Sequence, residues 1–202
     1  RENDPQAMRA IVESIAHTTD ATVHLANRLL TLARAGHGAE ADLLNVSLTD
    51  IARQAGLELA AQAVKKNIDL SLDAAAEVMV LGTPWMLHEM AINLIDNAIR
   101  YTPAGGSVIL RVFDDGQPVL EVEDSGPGIP EAERERVFSP FYRVPSAQEV
   151  NAGGSGLGLA IVRDLAAMHR AAVDLSDGGN SGNGAGSGAG LKITVRFPAD
   201  KA

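Results

Sequence analysis

The sequence predicts an α+β protein: a long amino-terminal helix, then a domain in which helices and short strands alternate. Three observations carry that reading. Ile11, Ile15, Thr18, Thr22, Leu25, Leu29 and Leu32 recur at four- and three-residue steps, the seam of a coiled coil or helical bundle. From Asp50 onward the apolar period switches repeatedly between that of a helix and that of a strand. Two glycine clusters, Asp124-Ser-Gly-Pro-Gly-Ile129 and Gly153-Gly-Ser-Gly-Leu-Gly-Leu159, punctuate this second region at the ends of predicted elements.

The chain has 202 residues, 46% of them hydrophobic, enough for one well-buried domain plus an appendage. Aromatic residues make up only 3%, so Ala, Val, Leu and Ile must build the core. A net charge of -9 argues against a nucleic-acid surface, which needs clustered Lys and Arg. The absence of cysteine excludes disulfides, thiolate metal sites and cysteine nucleophiles, and suits a reducing compartment. No apolar run reaches the ~20 residues of a membrane span, and no signal-peptide pattern opens the chain. The start on Arg1 suggests a piece of a longer protein.

The first helix is expected over residues 4–35, ended by Gly36 and Gly38. The Thr pair at its middle seam positions weakens it as a self-pairing coiled coil, so it needs further helices, or it lies on the following domain. Residues 38–45 read as a linker. A helix is predicted from Asp50 to Lys66, with short strands over Ile68–Leu72 and Val78–Leu81. Thr83-Pro84 starts the next helix as an N-cap followed by proline at the first helical position. Pro103 stops it near Tyr101. Strands over Ser107–Phe113 and Val119–Glu123 flank Asp114-Asp-Gly116, a hairpin signal. A helix follows Gly156, and strands near Val173–Leu175 and Leu191–Phe197 close the chain. Between those strands Asp177 to Gly190 holds seven glycines and reads as a hairpin loop.

Three features carry chemistry. Glu89, Asn93 and Asn97 stand at four-residue spacing and so share one helical face. Asn is a poor helix former, but its side-chain oxygen is a hard neutral ligand suited to Mg²⁺. Glu89 could orient or deprotonate an attacking group; alternatively all three are polar residues on a solvated face. Asp124, at a strand end before a Gly-x-Gly turn, can accept a hydrogen bond from an exocyclic adenine amine, with Gly126 and Gly128 admitting the base closely. An ordinary turn with a capping Asp is the plainer alternative. The second glycine cluster opens a helix whose backbone N–H groups favour phosphate. It matches neither the dinucleotide-binding G-x-G-x-x-G nor a Walker A sequence.

The order of four motifs is more specific than any one of them. His88-Glu-Met-Ala-Ile-Asn-Leu-Ile-Asp-Asn-Ala-Ile-Arg-Tyr101, then Asp124-Ser-Gly-Pro-Gly-Ile129, then Phe138-Ser-Pro-Phe-Tyr-Arg143, then Gly154-Ser-Gly-Leu-Gly-Leu159 resembles the catalytic ATP-binding domain of bacterial sensor histidine kinases. The resemblance implies a two-layer α/β sandwich of the Bergerat type, a mixed sheet with helices on one face, over residues 46–202. Residues 1–37 then resemble the second helix of a dimerisation and phosphoacceptor hairpin.

The implied ligands are ATP and Mg²⁺. By the resemblance Asn97 holds Mg²⁺ and Asn93 contacts phosphate or its waters. Arg100 neutralises phosphate charge, Tyr101 covers the adenine, and Asp124 reads its amine. Gly126, Gly128 and Ile129 shape the pocket floor, while Gly154, Gly156, Leu157 and Gly158 form the phosphate-side hinge. Residues 130–153 form a lid in which Phe138 and Phe141 anchor and Arg143 approaches the γ-phosphate. Thr194 falls where the family often has a threonine near the adenine. Glu89, Asn93 and Arg143 are the implied catalytic set.

The implied reaction moves the γ-phosphoryl of ATP to a histidine and then to a response-regulator aspartate. The implied setting is a homodimer, as the cytoplasmic domain of an inner-membrane sensor. One departure is plain: no His-Glu-x-x-Thr-Pro sequence is present, and none of His17, His24, His37, His88 and His169 sits in one. The phosphoacceptor helix is therefore expected upstream. Rival readings are an anti-sigma-type serine kinase, a nucleotide-binding regulatory module without turnover, and, more distantly, a gyrase-like ATPase.

Overall fold

The computed structural model describes residues 43–144, 155–179 and 190–199. The predicted amino-terminal helix, most of the predicted linker, the distal part of the lid, Gly154 and most of the glycine-rich loop lie outside the described residues.

A short strand β1 (Leu44–Ser47) leads directly into helix α1 (Leu48–Lys65). Ser47 makes the junction: its backbone is extended and its hydroxyl accepts the N–H of Asp50, closing the first turn. β1 corrects the predicted linker, which was drawn through Asn45; this end of it pairs antiparallel with β3 (Met79–Gly82). The isolated sequence hides β1 because a four-residue strand has too little length for its period to show.

Strand β2 (Asp69–Asp73) follows α1, and helix α2 (Pro84–Tyr101) follows β3. α2 starts and stops where Thr83-Pro84 and Pro103 predict. Its last free carbonyls are met locally: Thr102 donates to Ala98 through both N–H and hydroxyl, and Lys66 Nζ reaches the carbonyl oxygens of Ile99 and Arg100. The hairpin of β4 (Ser107–Asp114) and β5 (Pro118–Asp124) turns at Gly116, whose N–H is accepted by Asp114. Two short 3₁₀ turns, Glu131–Glu133 and Arg136–Phe138, precede helix α3 (Gly158–Met168). Strands β6 (Ala172–Asp177) and β7 (Leu191–Arg196) complete the fold.

The main sheet runs β2-β4-β5-β7-β6, parallel between β2 and β4 and antiparallel elsewhere. Strand alternation gives it two distinct faces. Val108, Leu110 and Val112 of β4, Leu120 and Val122 of β5, and Ile193 and Val195 of β7 pack with the apolar sides of α1, α2 and α3 in one continuous core. Arg111, Glu121, Glu123 and Thr194 are on the other face. This is the mixed sheet with helices on one face that the resemblance implies.

His169 couples two of the helices. Its Nδ1–H donates to the Leu165 carbonyl, its Nε2 accepts the N–H of Thr83 at 3.1 Å, and its ring meets Phe197 edge-on. Burial pushes this imidazole below its usual range, in keeping with a neutral ring that uses one nitrogen as donor and the other as acceptor. It pins the end of α3 to the start of α2.

Candidate functional site

One cavity lies between α2, the end of β5, the start of β7, the segment before residue 145 and the start of α3. α2 contributes Asn93, Asp96, Asn97, Arg100 and Tyr101, the three- and four-residue steps of a single face. That face is polar where a helix on a sheet normally continues its apolar stripe, and the resulting gap is the cavity.

The amides differ in their partners. Asn93 Nδ2 donates to the Glu89 carbonyl at 2.8 Å and to Glu89 Oε1 at 3.2 Å. Its nitrogen is thereby engaged, and its oxygen is the atom left for the cavity. Asn97 Nδ2 is buried and has no hydrogen-bond partner among the described residues. A buried polar group in that condition costs free energy unless a ligand or water satisfies it. Gly158 makes this placement possible: a Cβ there would lie 2.7 Å from Asn97 Nδ2, so only glycine lets the start of α3 close on the amide. Two neutral amides beside a helix amino terminus and two arginines form a donor set that fits Mg²⁺ with polyphosphate.

Asp124, also on the lining, is 6% exposed. Desolvation raises its carboxyl to about 6, partly offset by the backbone N–H groups of Gly126 and Leu191, while neighbouring Glu123 adds to the rise. Gly126 N–H reaches Oδ1 at 2.8 Å. Gly128 has φ of +74°, so the turn that brings Ile129 to the cavity wall needs glycine. The lining around Asp124 is apolar: Val122, Leu191 and Ile193. A carboxylate at the base of an apolar slot suits a flat heterocycle with one N–H donor.

Two cations also line the cavity, Arg100 and Arg143. Arg100 lines the cavity with its guanidinium 3.0 Å from Asp96, whose other oxygen accepts from Gln62. Arg143, Tyr142 and Val144 line it from the segment after the 3₁₀ turns.

Most of the sequence-predicted residues therefore converge: Asn93, Asn97, Arg100, Tyr101, Asp124, Gly128, Ile129, Arg143, Gly156 and Gly158 all line the cavity. Gly126 supports it through Asp124. Leu157 is buried just before α3 and does not line it; its neighbours Ser155 and Gly156 do. Gly154 lies outside the described residues. Glu89 is not among the lining residues, and its carbonyl and Oε1 accept from Asn93, which is.

Two expectations are corrected. Thr194 is on the opposite face of the sheet, where its hydroxyl donates to Glu121 Oε2 at 3.3 Å; β7 turns Leu191 and Ile193 to the cavity instead. Phe141 is no anchor: its side chain is 64% exposed, and only Phe138 is partly buried, beneath Arg163. Leu191, Ile193 and Val122 were not singled out from the sequence, although alternation with Asp124 and Val195 places them on this face.

Residues 82–201 match the family of histidine kinase-, DNA gyrase B- and HSP90-like ATPases. The chain is 36% identical over 200 residues to the sensor protein kinase PmrB of Pseudomonas aeruginosa, covering 98% of this chain and 40% of that protein. It is 35% identical over 176 residues to the sensor-like histidine kinase SenX3 of Mycolicibacterium smegmatis, 86% of this chain and 46% of that protein. The chain thus spans less than half the length of these relatives. Among solved structures, the mycobacterial sensor histidine kinase MprB superposes with a TM-score of 0.63 at 30% identity, over 77% of this chain and 97% of that one. The ATP-binding domain of PrrB from Mycobacterium tuberculosis gives 0.61 at 25% identity, over 79% and 99%. The chain belongs to the histidine kinase-, DNA gyrase B- and HSP90-like ATPase family, as the catalytic ATP-binding region of a sensor histidine kinase.

Proposed function

We propose that this chain binds Mg-ATP in the cavity and presents the γ-phosphoryl to a histidine on a helix upstream, from which it passes to the aspartate of a response-regulator receiver domain. The observation that carries the proposal is that one cavity is lined both by Asp124 with the apolar Val122, Leu191 and Ile193 and by the amides of Asn93 and Asn97, Arg100, Arg143 and the start of α3. A nucleotide needs both kinds of surface, an apolar wall with one acceptor for its base and amides and cations for its phosphates.

In this reading Asp124 accepts the adenine amine and Val122, Leu191 and Ile193 sandwich the base with Tyr101. Asn97 and Asn93 offer their oxygens as ligands or to coordinated water. When bound there, Mg²⁺ would offset phosphate charge and fix the polyphosphate geometry. Arg100 and Arg143 supply fixed positive charge at the phosphate end, and Glu89 holds Asn93. The work is positioning and electrostatics, as phosphoryl transfer requires, with no covalent step on this domain. The division into a dimerisation segment (1–37), a short connection and an ATP-binding domain belongs to the same proposal. So do a homodimer and a place on the cytoplasmic side of a membrane sensor; among the described residues no helix is long and apolar enough to cross a membrane.

The test is incubation of the full-length protein with γ-labelled Mg-ATP beside an Asn97→Ala control. Acid-labile, alkali-stable label that disappears in the control is the expected result. Acid-stable label would turn the reading to a serine kinase. Nucleotide binding with no label would turn it to a regulatory module.

A further inference from the structure

The segment that delivers Arg143 to the cavity is held in a strained shape by a cluster that the proposed function does not use. Phe141 has φ of +66°, a left-handed conformation that a bulky residue adopts only when its surroundings enforce it. Its ring is largely exposed, so packing of its own side chain is not the enforcing force. Within the turn, the Tyr142 N–H donates to the Ser139 carbonyl at 3.1 Å, and two further constraints reach outside it. Phe141 N–H donates to the Gly156 carbonyl at 2.9 Å, closing the segment against the approach to α3. On the next residue, the Tyr142 hydroxyl donates to Glu133 Oε2, and the Arg136 guanidinium lies 4.5 Å from the centre of the Tyr142 ring. Arg136 is also 3.4 Å from that same Glu133 oxygen. Glu133 and Arg136 belong to the two 3₁₀ turns, whose connecting Arg134 is tied to the Ile129 carbonyl at 3.1 Å and to Asp177 of β6. The turns are thus fixed to the body of the domain, and through Tyr142 they fix the segment that follows.

We infer that Glu133, Arg136 and Tyr142 form a latch that sustains the Phe141 kink and so aims Arg143 into the cavity, making Tyr142 and Glu133 positioning residues for the phosphate end of the site. The inference rests on the nucleotide reading above. Geometry decides between a latch and a generic surface cluster. Tyr142 lines the cavity on one side and is gripped on the other, and Arg143 and Val144, its immediate successors, also line the cavity. Release of the phenol leaves the left-handed Phe141 supported by two backbone bonds, its own and that of the Tyr142 N–H to the Ser139 carbonyl. The residue then relaxes to negative φ, and the direction of the chain at Arg143 changes.

The adenine end of the cavity shares no residue with the latch, so its loss should discriminate between ligands by their phosphates. The experiment is titration of this chain with ATP, ADP and adenosine in Mg²⁺, for the wild type, Tyr142→Phe, Glu133→Ala and Glu133→Gln. In Tyr142→Phe and Glu133→Ala, ATP affinity should fall roughly fivefold, the effect of one charge-assisted hydrogen bond, with adenosine affinity held within about twofold. Glu133→Gln keeps an acceptor for the phenol and should restore most of the loss. Phe141→Gly removes the strain the latch opposes, so adding Tyr142→Phe to it should cost less than in the wild type, a coupling that a double-mutant cycle reads directly. Equal losses for ATP and adenosine, or no loss, would overturn the latch while leaving the nucleotide site standing. Failure of the wild type to bind ATP would overturn both.

Discussion

Strand β5 carries three buried acids within four residues, and the two faces of the sheet treat them in opposite ways. Glu121 and Glu123 are 8% and 4% exposed on the face away from the helices, and Arg111 from β4 stands between them at 2.7 and 2.5 Å. Their hydrogen bonds raise the guanidinium further above its ordinary range. Asp124, 6% exposed on the helix-covered face, has backbone N–H donors in place of a cation, and its carboxyl rises to about 6. Burial is nearly the same; the partner is not. A buried acid given a cation is a structural element. A buried acid left without one keeps acceptor capacity that only a ligand uses, and the free domain bears the cost.

The largest expected effect tests that distinction directly. Asp124→Asn should lower ATP affinity on the order of a hundredfold, because a charge-assisted acceptor for the adenine amine becomes a neutral one. In the same protein the stability of the nucleotide-free domain at pH 7 should rise. The net rise, desolvation and Glu123 less the backbone hydrogen bonds, corresponds to about 3 kcal/mol at roughly 1.4 kcal/mol per tenfold change in the protonation equilibrium. Part of it is returned because Asn accepts less well from Gly126 and Leu191, so about 1–2 kcal/mol should appear in chemical denaturation. A variant that loses both nucleotide and stability would place Asp124 with the structural acids.

Arg111→Met should show the reverse pattern. It leaves Glu121 and Glu123 buried without their shared cation and should cost about 3 kcal/mol of stability, with ATP affinity within about twofold once the protein is folded. Loss of affinity greater than the loss of folded population would mean that the two faces are coupled through β5.

The pH dependence sharpens the comparison further. The folded-state value of Asp124, about 6, stands above the 3.8 of an unperturbed carboxyl. The folded domain therefore binds the extra proton between those values, and the contribution of this group to stability is fully present below about 4 and lost as pH rises through about 6. His169, whose imidazole burial holds below its usual range, is common to both proteins, so the informative quantity is the difference between Asp124→Asn and the wild type, in which it cancels. That difference should be small near pH 4, grow to pH 6 and level off above it. ATP affinity of the wild type should fall on acidification through the same window, because protonation removes the acceptor. A difference that stays flat from pH 4 to 7 would remove the electrostatic account of Asp124.

The elements of this fold were legible because their signals are local. The Thr83-Pro84 start, the Pro103 stop, the Asp114-Asp-Gly116 turn and the four-residue spacing from Glu89 to Asn97 each lie within one helix or one hairpin. What brought Asn97 against Gly158 is a contact across 61 residues, and the sequence shows only its two ends. The resemblance to histidine kinases joined them. The strain at Phe141 was not legible at all, since nothing in the residue type marks a left-handed backbone; the apolar ring reads as an anchor until its exposure is seen. β1 was hidden by its length.

Thr194 is the instructive error, and it supplies the smallest expected effect. A family analogy put a threonine beside the adenine, but strand alternation already said otherwise: Leu191, Ile193 and Val195 are the apolar positions of β7, and a threonine between them must face the other side. There its hydroxyl serves Glu121, one of the acids held by Arg111. Thr194→Val keeps the shape and removes that donor, so stability should drop by about 0.5–1 kcal/mol. ATP affinity should stay within about twofold, whereas Ile193→Asp, one residue away and on the cavity face, should abolish binding by putting a second carboxylate beside Asp124. If Thr194→Val weakened ATP by tenfold, the face assigned to β7 would be wrong. With it would go the separation of the ligand-serving acid from the structural ones, because Glu121 pairs with Thr194 across the same register that pairs Asp124 with Leu191.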